Sequence, residues 1–227
     1  FDTPKIVKDA AIAAINGGFS KYTAVAGTPE VLKAIAGKLK RENNLEYKPS
    51  DIVVNVGAKH SLFNIFQAII DDGDEVIIPA PYWVTYPEIV KYSGGEPVFI
   101  DTDETSGFKI TPAQLQAAIT PKTKVLLINT PSNPTGSIYS KEELKALAEV
   151  LKGTNILVVS DEMYEKIIFD GKKFTSVASI SEDMFKRTIT VNGLSKSVSM
   201  TGWRFGYMAC PIKEITDAIV DFQGQST

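Results

Sequence analysis

Residues 125–136 read Val125-Leu126-Leu127-Ile128-Asn129-Thr130-Pro131-Ser132-Asn133-Pro134-Thr135-Gly136, four apolar residues followed at once by a polar turn containing two prolines. A run that is apolar at every position, not at every second one, is what a strand shows when helices cover both faces of its sheet. The stretch therefore reads as an interior strand ending in a turn. The same pattern recurs at Ile52 to Val56, Glu75 to Ile78, Pro97 to Ile100, Ile156 to Ser160, Thr188 to Val191 and Gly206 to Ala209.

Helical signals alternate with these runs. Pro4 to Asn16 is closed by Gly17-Gly18, and Thr28 caps a helix that has Pro29 at its first position. Helices are also expected from about Ala58 to Ile70 and from about Val84 to Tyr92, and at the starts Thr111-Pro112-Ala113 and Ser140-Lys141-Glu142-Glu143. The last of these is a capping box, with Glu143 three residues past Ser140. Strands and helices in alternation predict a three-layer α/β sandwich around a mostly parallel central sheet of roughly seven strands. No repeat or linker divides the chain, so residues 1–227 read as one domain.

Composition narrows the class of function. With 24 basic against 27 acidic residues the net charge is -3, and no block of like charge marks a nucleic-acid or anionic-membrane surface. An apolar fraction of 44% with 22% charged residues is that of an ordinary globular protein, and no apolar run approaches membrane-spanning length. The lone Cys210 cannot form an internal disulfide, which fits a reducing cytoplasm; among Tyr207, Met208 and Ala209 it reads as a small buried residue. The single histidine, His60, reads as structural, and no metal site is expected.

Ligands of open α/β sheets bind beyond the carboxyl ends of the strands. Those ends carry Gly57-Ala58-Lys59, Ala80-Pro81-Tyr82-Trp83, Asn129 through Gly136, Ser160-Asp161-Glu162-Met163-Tyr164, and Asn192-Gly193-Leu194-Ser195-Lys196 followed by Met200-Thr201-Gly202-Trp203-Arg204. Several of these have ordinary readings. Asn-Pro-Thr-Gly is a turn signal, an acid at a strand end is often a helix N-cap (a role Ser160 could fill equally well), and Trp203 reads as a core residue.

Their order and spacing together, Asn133 to Gly136, then Asp161 with Tyr164, then Ser195-Lys196 with Arg204 eight residues later, resemble the class I aminotransferases that use pyridoxal phosphate (PLP). Tyr22-Thr23-Ala24-Val25-Ala26-Gly27, Pro81-Tyr82-Trp83 and Met200 to Arg204 are most similar to the bacterial aspartate-type branch. The resemblance implies that Lys196 forms the Schiff base and moves a proton. It implies that Asp161 holds the proton on the ring nitrogen, and that Asn133 and Tyr164 donate to the phenolic oxygen. Gly57, Ala58 and Lys59 (through backbone amides), Ser195 and Arg204 would hold the phosphate, and Trp83 would stack on the ring. Trp83 and Asn133 would also meet the substrate, while Tyr22 would reach the phosphate of the neighbouring subunit in a homodimer. Glu162 receives no role and is expected to be partly buried. Gly193 replaces a serine that touches phosphate in some members of the family.

The resemblance also implies a cytoplasmic enzyme exchanging an amino group between an L-amino acid, aspartate above all, and a 2-oxo acid, 2-oxoglutarate above all. The chain is expected to be the large, cofactor-binding domain, a fragment without the carboxyl-terminal small domain, its substrate-carboxylate arginine, or the amino-terminal segment. Two other readings stand beside this: a lyase on the same cofactor, such as a carbon-sulfur lyase, and a truncated unit that binds the cofactor and dimerises without turning over substrate.

Overall fold

The computed structural model describes residues 1–227. Eight helices and seven strands alternate along it: α1 Lys5–Asn16, α2 Pro29–Asn43, β1 Ile52–Val56, α3 Ala58–Ile69, β2 Glu75–Ala80, α4 Thr85–Tyr92, β3 Glu96–Asp101, α5 Pro112–Ala118, β4 Thr123–Asn129, α6 Lys141–Leu151, β5 Leu157–Asp161, α7 Glu182–Arg187, β6 Thr188–Gly193, β7 Phe205–Ala209 and α8 Lys213–Ser226. All seven strands join one sheet in the order β1-β7-β6-β5-β4-β2-β3. Pairings from β6 through β3 are parallel, whereas β7 runs antiparallel to both β6 and β1. The expected α/β sandwich with a mostly parallel sheet is the fold observed.

The capping signals act where the residues place them. Thr28 accepts from the Val31 amide, and Thr111 and Ser140 close reciprocal boxes with Gln114 and Glu143. α7 is a six-residue helix with no periodic apolar signature, started by Ser181 accepting from the Met184 amide.

Successive strand residues face opposite layers. Val76, Ile78, Val125, Leu127 and Val159 pack with α3, α4 and α8, while Ile77, Leu126, Ile128 and Val158 pack with α5 and α6. A third group, Ile35 and Leu39 of α2 with Tyr47, Ile52 and Tyr207, completes the second face at the β1–β7 end. This alternation places Asp161, two residues past Val159, on the α3/α4 side, and Glu162 on the other. No helix is long and apolar enough to cross a membrane.

α8 is tied to the sheet by a buried polar set. Gln223 accepts from Asn55 and Asn64 at 2.6 and 3.1 Å and donates to the carbonyls of Val25 and Val54 at 2.8 and 2.9 Å. Ser61 donates to Asn55 at 2.7 Å. The segment after Tyr22 is thus held to the carboxyl-terminal helix.

Candidate active site

The parallel strands deliver their polar ends to one edge of the sheet, and β7, running the other way, delivers its beginning. Arg204 stands immediately before β7 and so meets the residues that follow β1, β4, β5 and β6. Together they enclose a cavity of about 310 Å³, lined among others by Ala58, Lys59, Trp83, Asn133, Asp161, Tyr164, Ser195, Lys196 and Arg204. Gly57 borders it through Arg204. Tyr22 does not reach it and is fully exposed.

Asp161 is the buried centre of the site. Its Oδ2 accepts from the Tyr86 hydroxyl at 2.8 Å, its Oδ1 accepts from the Met163 amide at 3.2 Å, and its main-chain oxygen accepts from Asn129 at 2.9 Å. Burial pushes the Asp161 carboxyl above its ordinary pKa; the bonds from Tyr86 and Met163 and the charge of Lys196 pull it back. The helix-cap reading fails here, because residues 163–166 form a turn and no helix starts. Ser160 is no cap either: its hydroxyl donates to Glu162 at 2.9 Å.

Glu162 is wholly buried, not partly so. The parallel register carries it to the face opposite Asp161, where Oε1 accepts from Ser160, from Ser176 at 2.8 Å and from the Val177 amide at 3.1 Å. Burial pushes its pKa from the ordinary 4.5 to about 7 despite those donors, with Glu165 adding to the rise.

The Lys196 ammonium lies 5.7 Å from the centroid of the Tyr164 ring. The Tyr164 hydroxyl is raised above its usual pKa by burial and by the nearby Asp161, and Asn133 beside it offsets part of that. Asn133 is placed by its own amide, which donates to Asn129 Oδ1 at 2.6 Å.

At the other end, Gly57 opens α3 with φ +81°, a conformation that side-chain-bearing residues rarely take. The amides of Ala58 and Lys59 at the first turn have no intrahelical acceptor and carry the positive end of the helix dipole. A Cβ on Gly57 would lie 2.5 Å from Arg204 Nη2, so the guanidinium is seated against this turn while Nη1 donates to the Thr201 carbonyl at 2.8 Å. A Cβ on Gly206 would lie 2.3 Å from the Ala58 nitrogen, which shows how closely the turn rests on β7. Chemically, this end can hold an anion on amides and a guanidinium, the Asp161 end can hold a protonated nitrogen, and Lys196 adds an amine to the same cavity.

Some side chains depart from expectation. Lys59 contributes more than an amide, since its ammonium enters the cavity 4.9 Å from the Trp83 ring centroid, a cation-π contact. Trp83 stands edge-on to Tyr86, with centroids 5.4 Å apart and planes at 89°. Trp203 is exposed, not core, because the turn Thr201–Trp203 projects from the rim before β7 begins. His60 stays out of the cavity, and its Nδ1 accepts from the Val56 amide at 3.2 Å. Cys210 is buried, and burial raises its thiol to about 12, so it is not a nucleophile.

Tyr86 and Asn129 are the residues that reading the sequence missed. Tyr86, in the first turn of α4, lies three residues past Trp83 and its amide donates to the Trp83 carbonyl at 3.0 Å, and Asn129 is the first polar residue after Val125 to Ile128. Both spacings were available as signals.

The sequence profile of the family "Aminotransferase class I and II" matches residues 1–227. Among curated relatives, the aspartate aminotransferase of Geobacillus stearothermophilus is 52% identical across 100% of this chain and 58% of its own length. The aspartate/prephenate aminotransferase of Nitrosomonas europaea is 54% identical, with 100% of this chain and 57% of that protein covered. The chain thus spans a little over half the length of these relatives. Among solved structures, the aspartate aminotransferase from Rhizobium meliloti superposes with a TM-score of 0.98 at 48% identity, covering 100% of this chain and 57% of that one. An aromatic aminotransferase from Pyrococcus horikoshii superposes at 0.96 with 40% identity, covering 99% and 60%. With the profile matched end to end, this chain belongs to the class I and II aminotransferase family.

Proposed function

We infer that residues 1–227 form the cofactor-binding domain of a PLP-dependent aminotransferase that exchanges an amino group between aspartate and 2-oxoglutarate. The observation that carries this reading is the placement of the Lys196 amine, the buried Asp161 carboxyl and the Arg204 guanidinium around one cavity. That donor set suits PLP: an aldehyde needs an amine, a pyridinium needs a buried carboxylate, and a phosphate needs amides and a cation.

When bound, the cofactor supplies an electron sink for the substrate carbon that loses its proton. Lys196 would hold the aldehyde carbon at rest and, once released, carry a proton at its Nζ between the two carbons that exchange it. Asp161, oriented by Tyr86 and the Met163 amide, would keep the ring nitrogen protonated. Tyr164 and Asn133 would donate to the phenolic oxygen, and the amides of Ala58 and Lys59 with Arg204 and Ser195 would bind the phosphate. Trp83 would lie against the ring and, with Asn133, bound the space for the substrate.

The exposure of Tyr22 and of α1, which buries none of its residues, supports a homodimer in which Tyr22 reaches the partner's phosphate. The family match and the aspartate-directed names of the relatives support the reaction class and the amino donor.

The test is to give full-length protein PLP, aspartate and 2-oxoglutarate and to assay the products. Oxaloacetate and glutamate in equal amounts are expected. No exchange between aspartate and 2-oxoglutarate, with release of thiol, pyruvate and ammonia from an S-substituted cysteine supplied in a parallel assay, would instead point to a lyase, and no product in either assay from a protein that retains the cofactor would point to a binding unit.

A further inference from the structure

Glu162 has no place in the reaction just described, yet its main chain and side chain are held by several separate segments. Its amide donates to the Val191 carbonyl of β6 at 2.9 Å, and its carbonyl accepts from the Glu165 amide at 3.1 Å. Its Oε1 gathers Ser160 from β5 together with Ser176 and the Val177 amide from the far end of the loop that begins at Tyr164. Oε2 is buried with no partner.

Three donors on one oxygen join the end of β5 to the far end of the loop. The Glu162-Met163 pair between Asp161 and Tyr164 cannot shift without breaking at least one of these bonds, because Glu162 is fixed through amide, carbonyl and side chain alike. Asp161 and Tyr164 face the cavity on one side of that anchor, and the anchor itself sits on the opposite side of the sheet.

We propose that Glu162 is a positioning residue: its Oε1 clamps Ser160, Ser176 and Val177, and so fixes the turn that presents Asp161 and Tyr164 to the cavity. The assignment rests on the cofactor-binding reading of that cavity. A carboxyl or a carboxamide can serve, since either keeps one oxygen to accept the three donors. An alanine cannot, and it leaves two hydroxyls and an amide unpaired in a dry site.

The experiment uses full-length protein with Glu162→Ala, Glu162→Gln and Ser176→Ala. In cofactor-free samples, amide hydrogen exchange over residues 161–165 is expected to rise about tenfold or more in Glu162→Ala, less in Ser176→Ala, and to stay near the parent in Glu162→Gln; α6 serves as the unchanged reference. With PLP added, Glu162→Ala is expected to bind more weakly and to shift the pH at which the bound cofactor changes colour, and Glu162→Gln is expected to restore both. Exchange within a factor of about two of the parent, or a rise spread evenly through α6, would overturn the proposal. If Glu162→Ala does not fold, Ser176→Ala decides by the same criteria. A parent protein that takes up no PLP would sink the cofactor reading instead, while the exchange data still decide whether the clamp exists.

Discussion

The hydroxyl of Tyr86, on α4, donates to Oδ2 of Asp161, at the end of β5, across 2.8 Å in a fully buried setting. The bond holds the carboxylate in one orientation and offsets part of the desolvation that raises its pKa. Tyr86→Phe keeps the ring and its edge-on packing with Trp83 and removes only the donor. Hydrogen bonds to charged groups contribute about 1.5–3 kcal/mol, so PLP affinity is expected to fall roughly tenfold or more. A fluorescence titration checks this; unchanged affinity would mean that Tyr86 does not tune Asp161.

Gly57→Ala tests the anion end. At φ +81° an alanine costs about 1–2 kcal/mol of backbone strain, and its Cβ would displace the Arg204 guanidinium. The expected outcome is modestly lower thermal stability with a disproportionate loss of PLP affinity. Comparable binding of pyridoxal, which has no phosphate, by parent and variant would localise the effect to the phosphate; a parallel loss of pyridoxal would contradict the assignment.

How the strand ends became legible explains which residues were found. Lys196, Asp161 and Asn133 each follow an apolar run within a few residues, so sequence order and sheet geometry point to the same place. Arg204 was found through its distance from Lys196, although its position depends on β7 running antiparallel, which the apolar run Gly206 to Ala209 does not encode. Tyr86 sits in the first turn of α4, in an amphipathic segment where a buried tyrosine and a functional one look alike until the carboxylate across from it is seen. Glu162 and Trp203 were misplaced for a related reason. Burial of an acid depends on donors 14 and 15 residues away in Ser176 and Val177, and an aromatic beside a short turn has no periodicity to assign its side.

Glu162 also makes a pH prediction. Its pKa is raised from 4.5 to about 7 on folding, so the folded chain binds more protons than the unfolded one between those values, and stability falls as pH rises through them, by about 3 kcal/mol in all. Asp161 is shifted the same way. Glu165, the other acid facing Glu162, is paired with Lys38 and Asn43. Denaturant midpoints at pH 5 and pH 8 should therefore show Glu162→Gln gaining on the parent at the higher pH. An equal difference at both values would refute the burial argument.

Gln223→Leu tests the α8 anchor. The change leaves the Val25 and Val54 carbonyls and the Asn55 and Asn64 amides short of a partner in a buried site, at about 1–3 kcal/mol for each group that stays unpaired. A fall of several degrees in melting temperature is expected, together with faster proteolysis near Tyr22. A melting temperature equal to the parent's would show that the network contributes little.

The central claim is that Lys196 is the amine that holds the cofactor. Full-length protein loaded with PLP, reduced with borohydride, digested and mapped by mass spectrometry should carry one pyridoxyl group, on the peptide containing Lys196. A label on Lys59 or another lysine, or no label at all, would contradict the account.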